Sequence, residues 1–191
     1  LGTFGDNLKH SAESLMKNLQ FSEQQATLLE NLGIYINYNG YGSDINELHF
    51  KPDELYQLLC RYQSPFDFVT DNAEQFNRLE SGYHQDLTSA QSTVPLKSTD
   101  FAAVFVLPDA SWVRRVSGAY SNNLANENPH RAHAVLTEKA NGNYLVSVRA
   151  PLNNKRGAAA LCMQFPTGGG REAAAGINDL PVGMLSKFID K

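Results

Sequence analysis

The amino-acid sequence predicts an α/β (or α+β) fold, in which a helical N-terminal half is followed by a small mixed β-sheet domain flanked by helices. In the first half, apolar residues such as Leu8, Ala12 and Leu15 recur at the spacing of one helical face. In the second half, the apolar segments 101–107 and 144–150 are typical of strands. Because strand, helix and hairpin signals alternate there, a mixed sheet is expected.

Capping residues, prolines and a glycine delimit four predicted helices in the first half. The expected boundaries are Asp6 or Asn7 as the first cap, Ser22 with Gln25 as a capping box, Gly33 as the stop of that helix, Pro52 and Pro65 as the ends of the third helix, and Asp71 as the cap of the fourth. A turn-rich loop, 36–44, is expected between the second and third helices.

A linker and a series of turn signals organise the second half. Residues 91–99 predict a linker, so two domains are expected, 1–93 and 97–191. The elements expected after the linker are a buried strand at 101–107, a helix near Trp112 that Pro129 stops, a hairpin around Asn141-Gly142, a helix capped by Asn153, a glycine loop, a short Ala-rich helix and a last helix opened by Pro181.

The composition favours a folded protein without a membrane partner. Hydrophobic residues make up 42% of the 191 residues and charged residues 19%, a balance that argues against wholesale disorder. The longest apolar run, Phe101–Leu107, is too short to span a bilayer. Cys60 and Cys162 lie far apart in sequence and suggest neither a disulfide framework nor a zinc site, so a cytoplasmic location is expected.

Charge is distributed unequally along the chain. Residues 1–95 contain 5 Lys and Arg against 13 Asp and Glu, a net charge of −8. Residues 96–191 contain 11 against 7, a net charge of +4. A basic half suggests an anionic ligand. The alternative is that both halves merely present solvated surfaces.

The segment PTGGGREAAAG, 166–176, carries the sharpest chemical signal. Glycines 168, 169 and 170 allow a tight turn that presents backbone N–H groups to a ligand. The segment that follows is helix-prone, so an anion site at a helix N-terminus is expected. Arg171 has the wrong charge for that helix end, which an adjacent anion would explain. The alternative is a flexible turn before a short helix.

Arg149 is the second candidate for anion binding. It ends the predicted strand just before Ala150-Pro151, where its guanidinium can offer two parallel hydrogen bonds to a phosphate. The alternative is an ordinary surface salt bridge.

The string SVRAP, followed by a helix and then GGGREAAAG, resembles the C-terminal substrate-binding domain of the DHH phosphoesterases. The pattern of that domain is a strand that ends in Ser-x-Arg, a helix, and then Gly-Gly-Gly-His with an Ala-Ala-Gly helix. The resemblance covers about residues 97–191. It implies that Ser147 and Arg149 are the Ser-x-Arg element and contact the substrate phosphate.

The same resemblance implies that Gly168, Gly169 and Gly170 form the phosphate-binding glycine loop. Arg171 stands where the family usually has His. An arginine still binds phosphate, but it does not donate a proton near neutral pH. Any role that requires a titratable His at this position is therefore in doubt.

The N-terminal string LGTFGDN resembles the last metal-binding motif of the DHH catalytic domain, where an aspartate binds manganese. The resemblance implies that residues 1–93 are the end of that catalytic domain plus a connector, and that Asp6 is a metal ligand. A carboxylate oxygen suits manganese. Considered alone, Asp6 is a helix cap. The other metal motifs of the family, Asp-His-His and Asp-x-Asp, are absent from the sequence. We therefore expect no catalytic residue in this chain, and a two-manganese centre that an N-terminal catalytic domain outside the chain completes.

The resemblance as a whole implies the substrate-binding part of a manganese-dependent phosphoesterase. The expected substrates are short single-stranded nucleic acid or small phosphodiester nucleotides, and the chain alone is expected to be inactive. The alternative is a non-catalytic nucleic-acid or nucleotide-binding module, which the loss of His at position 171 favours. A third hypothesis is that the chain is a tRNA-contacting appendage. The sequence does not predict the oligomeric state.

Two weaker groups complete the candidates. Tyr35, Tyr38 and Tyr41 are able to stack on bases, but a packed turn between helices is the favoured interpretation. Arg114 and Arg115, on a predicted helix with Ser117 and Asn122, would contribute to a phosphate-lined groove or form a solvated helix face. His130 and His133 lie at a helix-to-strand junction, where packing is the default expectation.

Overall fold

The protein is described by a computed structural model that covers residues 1–191 and divides into two compact units, Leu1–Asp86 and Leu87–Lys191. The predicted fold class is confirmed, because helices precede and flank a six-stranded mixed sheet. The unit boundary lies a few residues before the predicted linker, and the assignment of 1–93 and 97–191 to two family domains stays a prediction. No helix is long and apolar enough to cross a membrane.

The first unit is built from helices. They are α1 (Gly2–Gly5), α2 (Lys9–Asn18), α3 (Glu23–Tyr38), α4 (Pro52–Leu59), α5 (Pro65–Asp71) and α6 (Ala73–Gln91), of which α6 extends past the unit boundary, with a short 3-10 turn at Ile45–Glu47. The predicted capping box is present, because the Ser22 hydroxyl accepts from the N–H of Gln25 and the Gln25 side chain accepts from the N–H of Ser22. Pro52 opens α4 as predicted.

Several predicted helix boundaries are wrong. Gly33 does not end α3, because the helix continues to Tyr38 and Gly33 instead permits close packing against α1. A Cβ at Gly33 would lie 2.4 Å from the Leu1 carbonyl oxygen. Asp6 follows α1 as its C-cap rather than capping α2. Pro65 opens α5 and Asp71 ends it, so neither has its predicted role.

The second unit contains a sheet with the strand order β1-β2-β3-β4-β6-β5. Its elements are β1 (Lys97–Ser98), β2 (Ala102–Leu107), α7 (Ser111–Glu127), β3 (Ala132–Glu138), β4 (Tyr144–Arg149), α8 (Ala158–Cys162), β5 (Gly168–Arg171), β6 (Ala174–Leu180), a 3-10 turn at Val182–Met184 and α9 (Leu185–Ile189). Only β2 and β3 are parallel, and α7 connects them. The other neighbours are antiparallel, including the β3–β4 hairpin around Asn141-Gly142, as predicted.

The Ala-rich helix predicted after the glycine loop is wrong. GGGR and AAGINDL form the antiparallel hairpin β5–β6, in which β6 is paired on both sides. Ala175 and Ile177 alternate into the core, so sheet pairing and burial override the helix propensity of the alanines. The predicted cap of the preceding helix is also wrong, because Gly157 with φ +98°, and not Asn153, precedes α8.

The core of the second unit lies on the α8 side of the sheet. The buried residues of β3, β4 and β6 on this face alternate along each strand, as Val146 and Val148 do, and pack with Cys162, Phe165 and Phe188. The opposite face is covered by α7, where Phe105 packs edge-to-face on Tyr120. Ser147 and Arg149 alternate with Val146 and Val148, so they lie on the α7 side.

Candidate functional site

Strand register brings four of the six sequence-predicted site residues of the second unit onto one face of the sheet, and places Gly168 and Gly170 on the core face. Arg149 of β4 pairs with Ala174 of β6, which pairs with Arg171 of β5. Two residues further along each strand, on the same face, Gly176 of β6 pairs with both Ser147 and Gly169. Residues directly opposite one another on neighbouring strands share a face, and two strand spacings amount to about 10 Å. Arg149 and Arg171 thus flank a strip of small residues.

Arg149 is half-buried and held in a fixed position. Its Nε donates to Oδ1 of Asn122 on α7 at 2.9 Å, and its Nη1 donates to Oγ of Ser147 at 2.9 Å. Ser147 Oγ also lies 3.3 Å from Oγ of Ser121, which donates to the Ser117 carbonyl oxygen at 2.7 Å. A guanidinium fixed in this way loses less conformational entropy when it binds an anion.

Arg171 is exposed on the edge strand β5, and its side chain has no hydrogen-bond or ion-pair partner in the structure. It belongs to a strand rather than to the predicted helix N-terminus. The expected anion site at a helix end is therefore absent at this position, and any anion bound near Arg171 would lie on the sheet face.

Glycine occupies the three positions 168, 169 and 170 for different reasons. A Cβ at Gly168 would lie 1.8 Å from the Cys162 carbonyl oxygen, and Gly170 has φ +140° with Ala175 close beside it. Both positions require glycine for packing or backbone conformation. A Cβ at Gly169 would meet nothing within 4 Å. Gly169 faces open space on the side of Ser147 and Arg149, so only this glycine has no internal steric explanation.

Sequence reasoning found Ser147 and Arg149 but missed Ser121. A weak signal was present, because Ser117 and Ser121 are one turn apart on α7 and share a face. For Asn122 the sequence allows either a phosphate-lined groove or a solvated helix face. The contact with Arg149 places it at the site.

His133 lies beside Arg149 on the neighbouring strand as a buried imidazole. It is 1% exposed and is the strand partner of Arg149 on β3. Burial, followed by the nearby charge of Arg131, lowers the pKa of His133 to about 4, so the ring is neutral at pH 7. Its Nδ1 has no hydrogen-bond partner. The sequence expectation of packing at this position agrees with its burial.

Asp6 lies in the first unit, whereas the residues above belong to the second. It is exposed beside a pocket of about 150 Å³ that backbone and apolar side chains mostly line. No group of three or more His, Cys, Asp or Glu side chains is arranged to hold a metal ion. Asp6 as a manganese ligand stays a prediction.

The tyrosines of the first unit form an internal network. Tyr35 and Tyr38 are each 2% exposed, and the Tyr38 hydroxyl lies 2.5 Å from Oδ2 of Asp86 and 2.8 Å from Nε2 of His49. Burial, followed by the nearby charge of Glu80, raises the pKa of Tyr35 above its ordinary range. These two tyrosines are packed and cannot stack on bases, whereas Tyr41 is exposed.

Comparison with known proteins identifies a similar fold. No protein-family model matches the chain, and no curated protein matches it. A pGpG-specific phosphodiesterase, PggH, from Vibrio cholerae is similar over 90% of this chain and 60% of its own, with 11% identity and a TM-score of 0.54. An exopolyphosphatase-related protein from Bacteroides fragilis is similar over 68% of this chain and 41% of its own, with 15% identity and a TM-score of 0.43.

The fold of this chain is thus similar to that of the PggH phosphodiesterase. The predicted resemblance to the C-terminal part of a DHH-family phosphoesterase is confirmed at the level of the fold. Residues 1–191 span less than two thirds of either neighbour.

Proposed function

We propose that this chain is the substrate-binding part of a manganese-dependent phosphoesterase that acts on short single-stranded nucleic acid or small phosphodiester nucleotides. The observation that carries the proposal is the sheet face of the second unit. It combines Arg149, fixed by Asn122 and Ser147, with the unpartnered Arg171 and the open space above Gly169. Two guanidinium groups beside an open backbone strip suit a phosphate.

The residues of this sheet face have separate roles. Arg149 and Arg171 bind phosphate oxygens from two sides, and Ser147 orients Arg149. Gly169 admits the ligand close to the backbone. By holding a phosphate in one place, these residues would supply the positioning on which phosphoryl transfer depends. In this proposal, manganese binds in a catalytic domain of which residues 1–93 are only the end. Asp6 supplies one ligand, and the other ligands come from outside this chain.

A second candidate is a nucleotide-binding module without catalysis. One observation favours it: Arg171 occupies the position of a titratable His in the family pattern. Hydrolysis assays separate the candidates. A protein that contains these residues with their catalytic domain should hydrolyse a dinucleotide in manganese and stop in chelator. Phosphate-dependent binding without hydrolysis would favour the module.

Calorimetric titration tests the phosphate site directly. A 5′-phosphorylated dinucleotide should bind this chain, and the same dinucleotide without the phosphate should bind more weakly. Arg149→Ala removes a charge-assisted contact of about 1.5–3 kcal/mol, which corresponds to roughly 10- to 150-fold in affinity. Arg171→Ala should also weaken binding, but less, because an exposed arginine is solvated and mobile.

Arg156→Ala is the matched control. Arg156 belongs to the same unit and has no side-chain ion pair or hydrogen bond, so the variant removes an equal charge from elsewhere. It should leave phosphate-dependent affinity nearly unchanged. If Arg149→Ala and Arg171→Ala bind as tightly as the native chain, or if Arg156→Ala loses as much affinity as they do, the assignment of the phosphate site is wrong.

A further inference from the structure

The hydroxyl of Ser147 contacts both Arg149 and the helix α7. Its Oγ accepts a hydrogen bond from Arg149 Nη1 at 2.9 Å, and Oγ of Ser121 on α7 lies 3.3 Å from it. A guanidinium has donors only, so Arg149 offers no acceptor for the hydrogen of the Ser147 hydroxyl. Oγ of Ser121 is therefore the one protein acceptor that lies within hydrogen-bond distance for that hydrogen.

The hydroxyl of Ser121 has its own acceptor in α7. Its Oγ lies 2.7 Å from the Ser117 carbonyl oxygen, a shorter distance than the 3.3 Å to Oγ of Ser147. A carbonyl oxygen only accepts, and a hydroxyl carries a single hydrogen. Because the Ser121 hydrogen belongs to the shorter contact, Ser147 donates to Ser121. The hydrogen bonds thus run in one direction, from the guanidinium through both hydroxyls to the helix carbonyl.

The helix itself does not require a hydroxyl at Ser121. The residue is 1% exposed, and Val116, Tyr120 and Leu124 are buried on the same side of α7. Alanine would suit the helix better, because a serine hydroxyl competes for backbone hydrogen bonds and lowers helix propensity. The contact with Ser147 is the one interaction that this hydroxyl makes outside its own helix.

We propose that Ser121 is a positioning residue of the phosphate site, which accepts the Ser147 hydrogen and so holds Ser147 Oγ as the acceptor for Arg149. The inference rests on the proposed function. Phosphate oxygens accept hydrogen bonds near neutral pH, and a hydroxyl whose hydrogen points at Ser121 presents only lone pairs to them. Ser147 consequently binds Arg149 and not the phosphate, and the guanidinium makes the contact with the ligand.

Ser121→Ala removes the acceptor and leaves Ser147 and Arg149 in place. The readout is the ratio of the affinities for a dinucleotide with and without its 5′-phosphate, because a general loss of order weakens both ligands alike. The ratio should fall roughly 2- to 10-fold, the equivalent of one neutral hydrogen bond. If Ser147 instead donated to the phosphate, the variant would release its hydrogen for the ligand, and the ratio would stay or rise.

Ser111→Ala is the matched control. Ser111 begins α7, is half-buried and makes no side-chain hydrogen bond, so the variant removes the same group from the same helix. It should keep the native ratio. If Ser121→Ala does not fold by near-ultraviolet circular dichroism, Ser121→Cys provides the same test, because a thiol fills the site and its sulfur is a weak acceptor.

Other results overturn the inference. A Ser121→Ala chain with the native ratio or a higher one contradicts it, and so does an equal loss in Ser111→Ala. Failure of the inference remains distinct from failure of the proposed function. Phosphate-dependent binding that Arg149→Ala weakens and Ser121→Ala does not would keep the function, whereas a native chain without phosphate-dependent binding would remove both.

Discussion

The two compact units place their polar side chains differently. In Leu1–Asp86, the Tyr38 hydroxyl reaches Asp86, which is only 7% exposed, and the whole contact is enclosed. In Leu87–Lys191, Ser147 and Arg149 are half-buried on a sheet face that is open above Gly169. An enclosed network can only stabilise or specify the fold. A half-exposed network of donors remains available to a ligand.

The two units also differ in net charge, and the unit with the accessible polar groups is the positive one. Leu1–Asp86 contains 5 Lys and Arg against 13 Asp and Glu, and Leu87–Lys191 contains 11 against 7. The excess positive charge thus belongs to the unit whose polar groups are accessible. A positive field attracts anionic ligands and raises their association rate. Exposure, more than residue type, therefore distinguishes a polar cluster that supports the fold from one that is available to a ligand.

Gly168→Ala and Gly169→Ala provide the largest expected contrast. The new Cβ at Gly168 would meet the backbone oxygen of Cys162 at 1.8 Å, so β5 or α8 must shift. We expect a loss of about 3 kcal/mol or more in the free energy of unfolding. Denaturant unfolding followed by the fluorescence of Trp112, the one tryptophan and a residue of this unit, measures it.

Gly169→Ala should change stability by no more than about 0.5 kcal/mol, because its Cβ enters open space. It should nevertheless weaken binding of a phosphorylated dinucleotide. Equal stability losses in the two variants would contradict the separation of structural glycines from the glycine of the site. A Gly169→Ala chain with native affinity would remove Gly169 from the site.

These glycines also show how far the sequence predicts the structure. The Gly-Gly-Gly string indicated close approach, and strand register confirms that it lies across β6 from Ser147 and Arg149. Local composition indicated a helix after Arg171, because alanine favours helices and the pairing partner β4 is remote in sequence. Tertiary pairing decides the outcome, and a single-sequence pattern does not contain it.

Local sequence signals predict a structural feature correctly where neighbouring residues determine that feature. The Ser22–Gln25 capping box and the Asn141-Gly142 turn depend on neighbouring residues, and both are present. Gly33 failed as a helix stop because its reason is the approach of Leu1 from another helix. The contact between Asn122 and Arg149 crosses from a helix to a strand, so sequence spacing could name the residues without pairing them.

Tyr38→Phe tests the enclosed network of the first unit. The variant deletes the hydroxyl that lies 2.5 Å from Asp86 and 2.8 Å from His49, so a buried carboxylate loses a donor. We expect about 1–3 kcal/mol of destabilisation, measured by chemical denaturation followed by far-ultraviolet circular dichroism. Phosphate-dependent binding by the folded chain should be unchanged.

Tyr41→Phe is the control for this prediction, because Tyr41 belongs to the same unit and is exposed. It should leave the free energy of unfolding within about 0.5 kcal/mol of the native value. A Tyr38→Phe chain as stable as Tyr41→Phe would show that enclosure does not make this network structural, and the contrast between the units would fail.

His133 is an exception within the second unit, because it is a polar side chain that is fully enclosed. Its expected effect on the free energy of unfolding is the smallest of those predicted. Its pKa in the folded chain is about 4, against about 6.5 when unfolded. Below pH 6.5 the unfolded state binds a proton that the folded state does not, so stability present above pH 6.5 is lost as pH falls toward 4. Between pH 7.5 and 5.0 this contributes about 1–2 kcal/mol.

The measurement is the free energy of unfolding at pH 7.5 and pH 5.0, followed by Trp112 fluorescence, for the native chain and for His133→Leu. The leucine variant should lose about 1–2 kcal/mol less stability on acidification than the native chain does. His10→Gln changes an exposed histidine and should behave like the native chain. Equal acid sensitivity in all three chains would mean that His133 is accessible to protons when folded, and that this side chain next to Arg149 is not enclosed.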